Sequence, residues 1–173
     1  MGNEIIRPAK IEDAEGIAKV HIETWQYAYK GQLPQKMLDE LSIEKRLEVW
    51  KEQLINPKPE TFNFVALVDG VLAGWVTGGI TREDDVSEEV GELYGIYVHP
   101  DYIGKGLGSK LINKLLDTLK VEGYKKATLW VLTSNEKSRK WYESKGWKVD
   151  GKIKIDKREG YDLHETRYTT DLT

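Results

Sequence analysis

The sequence predicts a mixed α/β fold of the α+β kind, a single domain over residues 1–173 with a mostly antiparallel sheet. Three observations lead there. Two β-branched runs, FNFVALV and VLAGWVTGGI, are joined by Asp69-Gly70, a two-residue hairpin signal. A strand, a glycine-rich turn, an amphipathic helix and a second strand follow in order between residues 91 and 132, the pattern of a right-handed crossover between parallel strands. The remaining strands are mostly hairpin-connected, which excludes a doubly wound sheet.

Residues 3–7 (NEIIR) read as a short first strand stopped by Pro8. From Ile11 to Tyr29, Ala14, Ile17, Ala18, His21 and Trp25 recur at helical spacing. Pro34 opens a second helical region through Met37, Leu38 and Leu41. Ser42 begins another that carries Leu47, Trp50 and Leu54 and ends at Asn56 and Pro57. After the hairpin, the acidic stretch Glu83 to Glu89 reads as a solvated loop, and 91–98 (GELYGIYV) as a strand ended by His99-Pro100. Leu107, Leu111, Ile112, Leu115, Leu116 and Leu119 make one apolar helical stripe, with Gly123 placed to stop it. KATLWVL (126–132) is a buried strand. Asn135 caps a short helix that runs to about Lys145, and two further strands close the chain.

Composition removes several function classes. Cysteine is absent, so no disulfide framework, cysteine nucleophile or cysteine zinc site exists. His21, His99 and His164 lack ligand spacing, so no metal site is expected. A net charge of −3 carries no basic footprint for nucleic acid. No apolar run approaches the ~18–20 residues of a membrane span. The first residues carry neither a secretory signal nor, with Ile6 where Ser or Thr belongs, a lipidation site. The expected location is the cytoplasm.

The sharpest local signal is YVHPDYIGKGLGSKLI, residues 97–112. Gly104, Gly106 and Gly108 sit between a strand and a helix start, where free amides and the helix dipole favour a phosphate. Lys105 and Lys110 add positive charge. The spacing fits neither a P-loop nor a dinucleotide fingerprint. By themselves the glycines also suit a plain flexible turn.

This segment resembles the pyrophosphate-binding signature Q/R-x-x-G-x-G/A of the GNAT superfamily of N-acetyltransferases. Ile103, Gly106 and Gly108 match it after Val98 and Pro100, with Ile103 the departure. A second stretch, NEKSRKWYESKGW, is similar to that family's N-x-x-A/S-x-x-F-Y-x-x-x-G-F through Asn135, Ser138, Trp141, Tyr142, Gly146 and Trp147. The resemblance implies a central sheet with helices on both faces and a parallel strand pair that splays after residue 98. It implies acetyl-CoA as cofactor, held by the backbone of Ile96, Tyr97 and Val98, by the turn Ile103, Gly104, Lys105, Gly106, Leu107, Gly108 and Ser109, and by Asn135, Ser138 and Tyr142.

The implied reaction is direct attack of a primary amine, on a small molecule or peptide, in a ternary complex. Tyr142 would serve the departing sulfur. A lysine-like amine is neutral only about one part in 2,500 at pH 7, so a deprotonation route is required. Glu92, eleven residues before Ile103, matches the offset of the base glutamate in one branch of the family; an ordered-water route is the alternative, with Tyr94 and His99 as lesser candidates. Trp25, Tyr29, Trp75 and Tyr161 are candidate acceptor-lining residues. A homodimer is common in the family. A non-catalytic acyl-CoA-binding sensor, and a transferase of longer acyl groups, fit the same motifs.

Overall fold

The computed structural model describes residues 2–173. The chain begins with β1 (Glu4–Pro8), a 3-10 turn (Ile11–Asp13), α1 (Ala14–Ala28), α2 (Gln35–Asp39) and α3 (Ile43–Ile55). The hairpin β2 (Thr61–Val68) and β3 (Val71–Ile80) leads to β4 (Val90–Val98), a 3-10 turn (Pro100–Tyr102) and α4 (Leu107–Val121). Next come β5 (Lys126–Leu132), α5 (Glu136–Ser144), β6 (Lys148–Arg158) and β7 (Tyr161–Asp171). The seven strands form one sheet in the order β1-β2-β3-β4-β5-β7-β6. Among the described residues, its one parallel strand pair is β4 with β5.

Local chemistry explains most boundaries. Asp69 and Gly70 have φ of 50° and 81°, the left-handed pair that a tight hairpin turn needs. Ser42 accepts the Lys45 amide at 3.2 Å and caps α3. The expected single helix from Ile11 is instead a 3-10 turn running into α1. There the Asp13 carboxylate accepts the Lys10 amide at 2.7 Å and two bonds from Arg7, tightening the first turn.

Side-chain alternation splits the core between the two sheet faces. On one, Leu107, Leu111, Ile112, Leu115 and Leu119 of α4 pack on Phe64, Ala66, Val76, Leu93 and Leu129. Burying these five side chains contributes on the order of 1.5–3 kcal/mol each. On the other, α1 and α3 cover Val65 and Trp75, and α2 joins a smaller cluster around Tyr29, Leu38, Leu132 and Leu163. α4 lies unusually close to β3. A Cβ at Gly74 would fall 3.1 Å from Leu111, and one at Gly78 only 2.7 Å from Leu115.

Two expectations change here. The 83–89 loop is not merely solvated: Glu83 accepts a hydrogen bond from the Trp130 indole at 2.8 Å, and Asp85 takes both arms of Arg167 at 2.7 and 3.0 Å. The parallel pair also parts earlier than residue 98. Its register ends at Leu93↔Leu129. The cause lies on the other side of β4, where Thr77 pairs Gly95 but Gly78 pairs Leu93, so that Tyr94 is an extra, unpaired residue. Such a bulge bends and overtwists a strand, turning β4 away from β5.

Candidate active site

From Tyr94 to Val98 the side of β4 that faces β5 has no strand partner, while its other side stays bonded to β3. Ile96 and Val98 of this open stretch sit on the α4 side of the sheet, and Tyr97 on the α1 side. Tyr142 reaches the gap from α5. Its phenol is buried and close enough to that of Tyr97 for the two to perturb each other. Burial first, then Tyr97, pushes its pKa well above the ordinary value of 10, so the hydroxyl keeps its proton at any physiological pH. Tyr29 is raised for the same first reason and also neighbours Tyr97, Tyr142 and Asn135. Three phenols, from the residue that follows α1, from β4 and from α5, thus converge where the sheet opens.

At the head of the gap stands the start of α4. Gly106 is its N-cap, with φ of 83° and no side-chain cap. The first amide to bond back into the helix is that of Lys110, which donates to the Gly106 carbonyl at 3.2 Å. The amides of Leu107, Gly108 and Ser109 precede it and point out of the helix end. No Cβ at Gly104 or Gly106 would touch any neighbour, so the space in front of these amides is open. Gly108 has a second reason to be glycine, because a Cβ there would lie 3.3 Å from the Trp141 ring of α5. These donors fit a phosphate or pyrophosphate.

The nearby lysines do not behave alike. Lys105 donates to the Asp101 carbonyl at 3.0 Å, and Lys110 is drawn off to Glu4. Lys145, expected only as the end of the helix after Asn135, donates to Ser109 Oγ at 2.7 Å and lies over Trp141. It brings to the first turn of α4 the cation that Ile103, 41% exposed, does not supply. Asn135 caps α5 by accepting the Ser138 amide at 3.2 Å.

Glu92 lies elsewhere in character from what its position suggested. It is fully buried, and both carboxylate oxygens already accept from Arg82: the backbone amide at 2.8 Å, Nε at 3.1 Å and Nη2 at 2.5 Å. Tyr94 donates to the Ile80 carbonyl, and burial raises its pKa to about 12. His99 sits 2.7 Å from Glu23 through Nε2, while its Nδ1 accepts the Asp101 amide at 3.3 Å, leaving no lone pair free. None of the three is a ready base.

Trp25 packs against Tyr29 at 4.8 Å, and Trp75 is buried beside His21 and Tyr97 at 5.2 and 5.0 Å. Tyr161 lies at the edge of the cluster with Tyr29. His21 itself is enclosed by Trp25, Trp50, Trp75 and Tyr97. Burial, with the charge of Arg46 adding to it, lowers its pKa to about 3. The unfolded chain then binds this proton far more readily, so the stability tied to neutral His21 is complete above about pH 6.5 and is lost as pH falls toward 3. A His21→Gln variant should be less stable than wild type at pH 7. The gap should close by up to about 3 kcal/mol on acidification from 6.5 to 4, read from thermal unfolding at each pH. A gap independent of pH would mean that His21 is not held neutral.

The family model for the acetyltransferase (GNAT) family matches residues 21–147, spanning the open strand, the helix start and Tyr142. The chain belongs to the GNAT family. An uncharacterized N-acetyltransferase of Bacillus subtilis (strain 168), YuaI, is 30% identical over 131 residues, 75% of this chain and 72% of the relative. Among solved structures, an N-acetyltransferase from Staphylococcus aureus Mu50 matches with a TM-score of 0.75 and 26% identity, covering 99% of both chains. The PaiA N-acetyltransferase of Thermoplasma acidophilum, crystallised with coenzyme A, shares the fold with a TM-score of 0.71 at 22% identity, over 98% of this chain and 99% of that one. As in those GNAT structures, the sheet is mixed and carries helices on both faces. No helix among the described residues is long and apolar enough to cross a membrane.

Proposed function

We propose that this GNAT member transfers an acetyl group from acetyl-CoA to a primary amine by direct attack within a ternary complex. What carries the reading is the place where β4 parts from β5: an unpaired strand edge, an uncapped helix start and the proton-bearing Tyr142 meet there. The amides of Leu107, Gly108 and Ser109, with Lys145 beside them, would hold the pyrophosphate. The open edge at Ile96 and Val98 would take the amide-bearing arm as a sheet takes an added strand. Bound there, the cofactor supplies an activated acyl thioester.

The chain's own part is then positional and protic. Tyr142, kept neutral by burial, donates a hydrogen bond to the sulfur as negative charge grows on it. Tyr97 and Tyr29 bound the gap on the α1 side, from which the amine enters. Proton removal from the amine falls to ordered water, because Glu92 and His99 are already engaged.

The test is thiol release from acetyl-CoA across a panel of polyamines, amino acids, aminoglycosides and peptides. With no cysteine the protein contributes no thiol background. Amine-dependent release is the expected result. Acetyl-CoA that raises the melting temperature without release on any amine would favour a sensor over a transferase.

A further inference from the structure

On the α1 side of the sheet, below the gap, lies a cavity of about 300 Å³ between the 83–85 loop and strands β5, β6 and β7. Its floor is Trp130. Around that ring stand Glu83, whose carboxylate holds the indole N–H at 2.8 Å, and Arg167, 5.7 Å from the ring centroid. Arg167 is only 4% exposed and is held by both oxygens of Asp85 and by Asp150 at 2.6 Å. Three of its five N–H donors are engaged by these two carboxylates, so its main part is that of a brace. Lys154 is different. Its ammonium sits 4.4 Å from the Trp130 centroid, and its carboxylate partner is Glu165 at 3.5 Å.

An ammonium over an indole face with a carboxylate beside it is how proteins recognise cationic amines. Here the chain's own lysine fills that seat, and it fills it loosely. β6 is the edge strand, bonded only to β7, and its side chains are almost all exposed. Glu165 faces the same way as Leu163 and Arg167 on β7, and its charge reaches Tyr97 at the opened stretch of β4. Glu165 stands opposite Leu132, which packs with Tyr29 and Leu163, so the seat lies on the face of the sheet from which an acceptor would approach.

We infer that Trp130 and Glu165, with Glu83 fixing the ring, form a subsite for a second positive charge on the acceptor, and that Lys154 is an internal occupant which the acceptor displaces. The inference rests on the proposed transferase reading and narrows it. The acceptor is a linear di- or polyamine: one amine reaches the gap, while another ammonium lies on Trp130. A carboxylate-bearing acceptor would meet Glu83 and Glu165 and is disfavoured.

The test separates the subsite from the chemistry. Spermidine, butylamine and glutamate are titrated by calorimetry into the whole chain, with and without coenzyme A, and compared as acceptors by thiol release. Spermidine should bind at least ten times more tightly than butylamine. Glu165→Gln should weaken spermidine about tenfold and butylamine by a much smaller factor. Trp130→Phe should weaken it less than Trp130→Ala, whose folding is checked by melting temperature. Lys154→Ala should tighten spermidine about threefold by removing the resident cation. Spermidine binding no better than butylamine, or a Lys154→Ala variant that binds spermidine more weakly, overturns the subsite whatever the chain catalyses. Spermidine binding that follows this pattern with no thiol release would uphold the subsite and sink the transferase reading instead.

Discussion

Gly106→Val should lose acetyl-CoA binding by two orders of magnitude or more, measured by calorimetry on the folded protein. Two independent effects act in the same direction. The N-cap has φ of 83°, a conformation that costs an L-residue about 1–2 kcal/mol and a β-branched one more. Relaxing that strain would turn the amides of Leu107 and Gly108 out of their common direction. The new side chain would also project into the open space in front of them, where nothing in the chain now lies within 4 Å. Gly106→Ala, with a smaller side chain but the same φ problem, should fall between. Affinity unchanged in the valine variant would remove the start of α4 from the anion site.

Tyr142→Phe should behave in the opposite way, with turnover falling about a hundredfold while the Kd for acetyl-CoA stays within about threefold. The ring would still pack beside Trp141 and Trp147, at centroid distances of 5.1 and 6.1 Å, so the pocket keeps its shape. Only the proton donor is lost. Because the phenol's pKa lies far above neutrality, this loss should be the same from pH 6 to pH 9. Parallel losses in turnover and affinity would assign Tyr142 to packing, and a pH-dependent loss would mean that it titrates during the reaction.

What could be read from residues alone divides by physical range. The stripe on α4, the Asp69-Gly70 turn and the Asn135 cap are short-range, since each depends on residues within a turn or two of one another. They were legible for that reason. The same holds for the glycines before α4, whose job is local backbone geometry. Glu92 shows the limit. Its place before the glycine turn was readable, but its burial and its three bonds from Arg82 depend on how β3 and β4 register ten residues apart. The parting after Leu93 hangs on one unpaired residue, Tyr94, that no periodicity marks.

Lys145 and Trp130 were missed for related reasons. The lysine reaches Ser109 across 36 residues, and no motif announces a cation there. Trp130 carried a usable sign. It alternates with Leu129 and Val131, which face α4, so the period of a strand already turned it toward the opposite side. Its partners Glu83 and Lys154 come from a loop and an edge strand whose approach only the folded chain defines.

The open edge of β4 has one more consequence, concerning what it keeps out. A row of free backbone donors and acceptors on the outside of a sheet invites other chains to add a strand, the usual start of aggregation. Here that row lies in the middle of the sheet, with β5 beside it and the buried Tyr142 at its far wall. A polypeptide strand brings side chains on both faces and needs the full spacing between strands. The narrowing wedge between β4 and β5 closes to paired strands at Leu93, so an intruding strand would soon meet an occupied ladder. A slender, unbranched chain with an amide or two along its length has no such difficulty. The protein can therefore keep an adhesive edge permanently exposed to small molecules while remaining unattractive to its own kind.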